Sequence, residues 1–129
     1  MDKKKILVID DEESSTQMLK VSLERSGAYE VIVVYNGDEG LKKIAEEDPD
    51  VVILDVMMPG KNGFEVLKEL RKDGVKWRPV IMLTTKSDFE DVKRGYELEA
   101  DFYIPKPFKL EVLQRGIETM LSLIPLRNG

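Results

Sequence analysis

Four apolar runs in this chain each lead into a polar group able to do chemistry. Ile6-Leu7-Val8-Ile9 runs into Asp10-Asp11, and Val51-Val52-Ile53-Leu54 into Asp55. Val80-Ile81-Met82-Leu83 meets the hydroxyls of Thr84 and Thr85, and Phe102-Tyr103-Ile104 points toward Lys106. Carboxylates gathered in one place disfavour one another's ionisation unless a cation sits among them. Hard oxygen donors with positions left for water favour Mg²⁺. A lysine ammonium and a rotatable hydroxyl beside such an ion suit the neutralisation of a phosphoryl group.

Composition narrows the chemistry further. The 129 residues include no cysteine and no histidine. Disulfides, thiolate zinc sites, Cys or Ser–His nucleophile systems and an imidazole base are therefore excluded. Carboxylates, hydroxyls, amines and a bound metal remain. The net charge of −5 argues against sequence-independent nucleic-acid binding, which needs clustered Lys and Arg. Lys3-Lys4-Lys5, the only basic run, reads as a solvated strand end. No apolar stretch approaches the roughly 20 residues of a membrane span. The segment after the lysines is too short for a signal peptide. No membrane or direct nucleic-acid partner is expected, and a cytoplasmic location is.

Strand-like and helix-like patterns alternate along the whole chain. Strands are expected near 4–9, 30–34, 51–54, 79–83 and 100–104, with helices near 13–26, 37–47, 63–73, 88–98 and 108–123. Ser26-Gly27 and Asp73-Gly74 read as helix ends. Asn36-Gly37 turns into the second helix, and Ser87-x-x-Glu90 is a capping box for the fourth. Pro79 suits the first residue of a strand. Leu113, Ile117, Met120 and Ile124 form the buried stripe of the last helix, and the tail from Pro125 reads as a frayed end. Five βα units imply an α/β protein with a parallel sheet covered by helices on both faces. The continuously apolar runs at 6–9, 51–54 and 80–83 belong at its centre, and 100–104 at an edge. One domain spanning 1–129, with a core of about 4–122, is expected. Ligands of such sheets bind outside the carboxyl ends of the strands, so folding should gather Asp10, Asp11, Asp55, Thr84 and Lys106 in one crevice.

Four motifs then resemble one family. Ile-Leu-Val-Ile-Asp10-Asp11-Glu12, Leu54-Asp55-Val56-Met57-Met58-Pro59-Gly60, Leu83-Thr84-Thr85 and Ile104-Pro105-Lys106-Pro107-Phe108 together resemble the receiver domain of two-component response regulators, of the single-domain chemotaxis type. Asn36-Gly37-x-x-Gly40-Leu41 and Asn62-Gly63-Phe64-Glu65-Val66-Leu67 also follow that pattern. The resemblance implies a doubly wound, flavodoxin-like receiver fold with strand order 2-1-3-4-5 and five helices. It implies Asp55 as phosphoacceptor, Asp11 as direct Mg²⁺ ligand, Asp10 acting through water, and the backbone carbonyl of Met57 completing the ligand set. Lys106 would pair with a phosphoryl oxygen across a cis Lys106-Pro107 bond, Thr84 would turn its hydroxyl to that group, and Tyr103 would be the switch aromatic. Thr85, where relatives often carry Ala or Gly, implies a tighter approach. Met57 and Lys86 occupy positions that tune the lifetime of the phosphorylated form.

Taken singly, each residue has a plainer reading. Asp10-Asp11 suits a helix N-terminus, Asp55 a turn, Thr84 the core, Lys106 solvent, Tyr103 a half-buried edge. Their conjunction at one sheet edge favours the functional reading. The expected partners are a histidine kinase or phosphotransfer protein as donor, and a downstream protein target. That target would bind the surface of the fourth helix, fifth strand and fifth helix, with a phosphorylation-dependent homodimer as a further state. The chain would not be a turnover enzyme. A stand-alone regulator is preferred to a receiver excised from a longer, for example DNA-binding, regulator. An aspartate-dependent phosphohydrolase is less favoured, because Asp55-Val56-Met57 lacks a second acid two residues on. A flavin carrier is disfavoured by the acidic Asp10-Asp11-Glu12-Glu13 where a phosphate loop would stand.

Overall fold

A computed structural model describes residues 3–84 and 100–128. Its strands are β1 (Lys4–Ile9), β2 (Tyr29–Val34), β3 (Val51–Asp55), β4 (Val80–Thr84) and β5 (Phe102–Pro105). All pair in parallel, in the order β2-β1-β3-β4-β5. The described helices are α1 (Glu13–Glu24), α2 (Gly37–Glu47), α3 (Gly63–Leu70) and α4 (Leu110–Asn128), the last of the five expected. The helix expected near 88–98, with its capping box, lies outside the described residues, as do Thr85 and Lys86.

Strand periodicity sorts the apolar side chains into two layers. Leu7, Ile9, Val52, Leu54, Val80 and Met82 pack with Ile44 of α2 and Phe64 and Leu67 of α3. Ile6, Val8, Ile53, Ile81 and Leu83 point the other way, onto Leu23 of α1 and Leu113, Ile117 and Met120 of α4. Both faces of β1, β3 and β4 are thus dry, which is why their sequences are continuously apolar. Each such side chain contributes about 1.5–3 kcal/mol on burial, so these strands are the firmest support the fold offers. Their ends are where the acids and hydroxyl sit.

Several boundaries differ from the sequence expectation. Pro79 precedes β4, with its carbonyl accepting the N–H of Val52 at 3.1 Å. α3 stops at Leu70: Arg71 leaves helical geometry, and its guanidinium bonds the carbonyl of Arg78 and the carboxylate of Asp101. Gly27 and Gly74 do adopt positive φ, but Gly74 lies beyond α3 in a separate turn. β5 begins at Phe102, because the Asp101 carboxylate turns aside to accept the N–H of Val80 at 2.8 Å. The tail is not frayed from Pro125; α4 continues through it to Asn128. The proline ring holds φ near the helical value, so the helix continues at the cost of one backbone bond and of crowding against the carbonyl four residues back.

Candidate functional site

Asp10 follows β1 and is 4% exposed. Its carboxylate is held from two sides, accepting the N–H of Glu12 at 3.0 Å and the Lys106 ammonium at 2.7 Å. The Glu12 peptide is fixed in turn, since its carbonyl accepts both the N–H and the hydroxyl of Thr16, at 3.1 and 2.6 Å. Asp55 is the last residue of β3 and equally buried. Its Oδ1 accepts the N–H of Met57 at 3.4 Å and lies 3.6 Å from the Lys106 ammonium. Lys106 leaves β5 with its N–H donated to the carbonyl of Thr84 at 2.6 Å, and the bond to Pro107 is cis.

Asp10, Asp11 and Asp55 each offer an oxygen within 4.8 Å of the others. Oxygens on one Mg²⁺ at about 2.1 Å stand at most about 4.2 Å apart, so the spacing of this cage is on the scale of such an ion. Two of the three carboxylates are buried and Asp11 is exposed, which leaves an open side for water or a ligand. Three acids face one ammonium, and the excess negative charge favours a cation.

The electrostatics are uneven. Burial, followed by the charge of Asp10, pushes the Asp55 carboxyl up to about 7, against Lys106 and the Met57 N–H, which pull it down. Burial alone would depress Lys106, but its bond to Asp10 and the charges of Asp55 and Asp10 raise it overall. Lys106 therefore stays an ammonium throughout the physiological range.

Thr84 is buried at the end of β4, one strand from Asp55, whose β4 neighbour in register is Leu83. Met57 is half-exposed beside Asp55. Tyr103, in edge strand β5, packs against the α2–α3 layer. Sequence reasoning missed Glu12 and Thr16, which hold Asp10 in place; a threonine one turn into α1 was the only signal. It also missed a cavity of about 580 Å³ beside Asp10 and Lys106, walled by Thr16, Leu19, Leu83 and Phe108.

Known proteins share this fold. Residues 6–118 match the family model described as response regulator receiver domain. The alkaline phosphatase synthesis transcriptional regulatory protein PhoP of Bacillus subtilis (strain 168) is 46% identical over 118 residues, covering 92% of this chain and 48% of that protein. This chain thus spans about half the length of that curated relative. The chemotaxis protein CheY4 of Vibrio cholerae superposes with a TM-score of 0.85 at 35% identity, covering 92% of this chain and 99% of that one. The BeF3-activated N-terminal receiver domain of Klebsiella pneumoniae RstA gives 0.85 at 30% identity, covering 92% and 98%. The chain belongs to the receiver-domain family of two-component response regulators.

Proposed function

We propose that Asp55 accepts a phosphoryl group from a histidine of a partner kinase or phosphotransfer protein, and that the chain acts as a signalling switch. One observation carries the reading: three carboxylates within 4.8 Å of one another, with the Lys106 ammonium 2.7 Å from Asp10 and 3.6 Å from Asp55. Asp10, Asp11, Asp55 and the Met57 carbonyl would hold Mg²⁺, Asp10 through water, and the bound ion supplies charge neutralisation at the phosphoryl oxygens. In the transfer the donor's P–N bond breaks as a P–O bond to an Asp55 carboxylate oxygen forms. Lys106 pairs with a phosphoryl oxygen and Thr84 donates its hydroxyl to another.

The phosphorylated aspartate carries more negative charge than the free carboxylate, by analogy with the roughly −1.5 to −2 of phosphoserine. That charge draws Thr84 and Lys106 inward, and Tyr103 repacks with them. The readout is the surface of the fourth expected helix, β5 and α4, where a protein target or a second phosphorylated copy binds. The chemistry is self-phosphorylation and autodephosphorylation, not turnover of a free substrate. We place the receiver within residues 1–129, with its core at about 4–122, acting in the cytoplasm through the protein target just described. No helix among the described residues is long and apolar enough to cross a membrane. A second reading, a receiver working inside a longer transcription regulator, is favoured by one fact: the PhoP relative is such a regulator and the match covers 48% of it. Incubation with acetyl phosphate and Mg²⁺ tests the common core of both. Wild type should take one phosphoryl group per chain and Asp55→Asn none; equal labelling of the two refutes the assignment.

A further inference from the structure

The start of α3 is built unusually close to Asp55. A Cβ placed on Gly63 would press on the carbonyl oxygen of Asp55, with the Val56 Cα at 2.9 Å and the Asp55 carbonyl carbon at 3.1 Å. All three are backbone atoms, so none can swing aside as a side chain would. The Gly63 N–H donates to the carbonyl of Val56 at 3.0 Å, while the Val56 N–H donates to the carbonyl of Leu83 at 2.8 Å. The peptide after Asp55 is therefore clamped between β4 on one side and the first residue of α3 on the other. α3 is itself fixed in register by a capping box: Asn62 accepts the N–H of Glu65 at 3.0 Å, and Glu65 accepts that of Asn62 at 3.1 Å. From behind, the loop rests on α2, where a Cβ on Gly37 would stand 2.9 Å from both the Lys61 carbonyl oxygen and the Val66 Cγ2.

We infer that Gly63 is a positioning residue, setting where the Asp55 carboxylate stands relative to Asp10, Asp11 and Lys106 by letting α3 begin in backbone contact with Asp55. The inference deepens the reading of Asp55 as phosphoacceptor and rests on it. A side chain at 63 must move either α3 or the Asp55 backbone. The buried body of β3 stays in place and α3 is held by its cap, so the strain falls on the last residue of β3 and the turn to Gly63, and the Asp55 carboxylate is displaced from the cage.

The experiment compares Gly63→Ala with Asn62→Ala, which removes the capping box but adds no atom against Asp55. Two readouts are taken on each: Mg²⁺ affinity, followed at the amides of residues 11 and 55, and the initial rate of labelling by acetyl phosphate. Gly63→Ala should lose about tenfold in both, as small misplacements of reacting groups do, and Asn62→Ala no more than about twofold. That contrast should hold even where the two variants melt at the same temperature. Wild-type values in Gly63→Ala, or equal losses in both variants, overturn the proposal. If Gly63→Ala does not fold, Gly37→Ala pushes the same loop more gently and should weaken both readouts about threefold; unchanged values there overturn it equally. A wild-type chain that binds Mg²⁺ but takes no label defeats the phosphoacceptor reading instead, and the Mg²⁺ comparison still decides the role of Gly63.

Discussion

The ammonium of Lys106 is bonded to Asp10 at 2.7 Å and stands off from Asp55 at 3.6 Å. In this state the lysine neutralises the neighbouring acid and leaves an oxygen of the acceptor carboxylate free to react. The same pair sets a competition, because the Asp10 oxygen that faces Lys106 is one a cation would otherwise attract.

Removing the lysine should therefore tighten Mg²⁺ binding. In Lys106→Met the three carboxylates lose their only ammonium among the described residues. The gain should be at least about 1 kcal/mol, or roughly fivefold in affinity. Calorimetric titration reads it directly, and weaker binding in the variant would contradict the competition.

The acceptor carboxyl should make the metal-free protein less stable as pH rises. Asp55 titrates at about 7 in the fold against 3.8 for the free side chain, so between those values the folded chain binds the extra proton. Stability is full below pH 3.8 and falls as pH climbs to about 7, by about 4 kcal/mol. Asp48 acts in the opposite sense: Arg78, then Lys76, hold its carboxyl below the usual range, so its contribution is lost only as pH drops below that range. Urea melts in EDTA should show the decline in wild type, and its absence in Asp55→Asn. A variant less stable than wild type at pH 8 would contradict this.

A bound ion should offset much of that penalty. At free Mg²⁺ about 100 times its dissociation constant the fold gains about 2.7 kcal/mol. Thermal melts should rise with Mg²⁺ in wild type, return with EDTA, and respond far less in Asp11→Asn.

Far from the site, Arg78 should matter for stability alone. Its side chain is buried and bonds the Pro49 carbonyl at 2.9 Å and Asp48 at 2.6 Å. Arg78→Ala leaves that buried carbonyl unpaired and empties a packed volume. A loss of about 2–3 kcal/mol is expected, with Mg²⁺ affinity and acetyl phosphate labelling unchanged. Parallel losses in labelling would show that the two ends of the sheet are coupled.

Much of the architecture was legible because the buried strands announce themselves. Ile6–Ile9, Val51–Leu54 and Val80–Leu83 are apolar without interruption, and Asp10, Asp55 and Thr84 follow them directly. Once the strands are parallel, those ends must meet at one rim. Non-local polar ties were not legible. Arg71 reaches Asp101 and Arg78 reaches Asp48 across separations of 30 residues each, and nothing in local composition marks such pairs. The first of these pairs stands where α3 stops early and β5 starts late. The glycine of Asn62-Gly63 was visible as a motif, but its reason, contact with the Asp55 backbone, exists only in three dimensions. Pro125 misled because a proline signals a helix end, whereas its fixed φ is also a helical one.

The central claim is that the carboxylate of Asp55 forms an acyl phosphate, and trapping that bond tests it most directly. Borohydride reduces an aspartyl phosphate to homoserine. After treatment with acetyl phosphate and Mg²⁺, then borohydride, peptide mass mapping should find homoserine at position 55 and unmodified aspartate at 10 and 11. Homoserine at another position, or none in a chain that has bound Mg²⁺, would contradict the account.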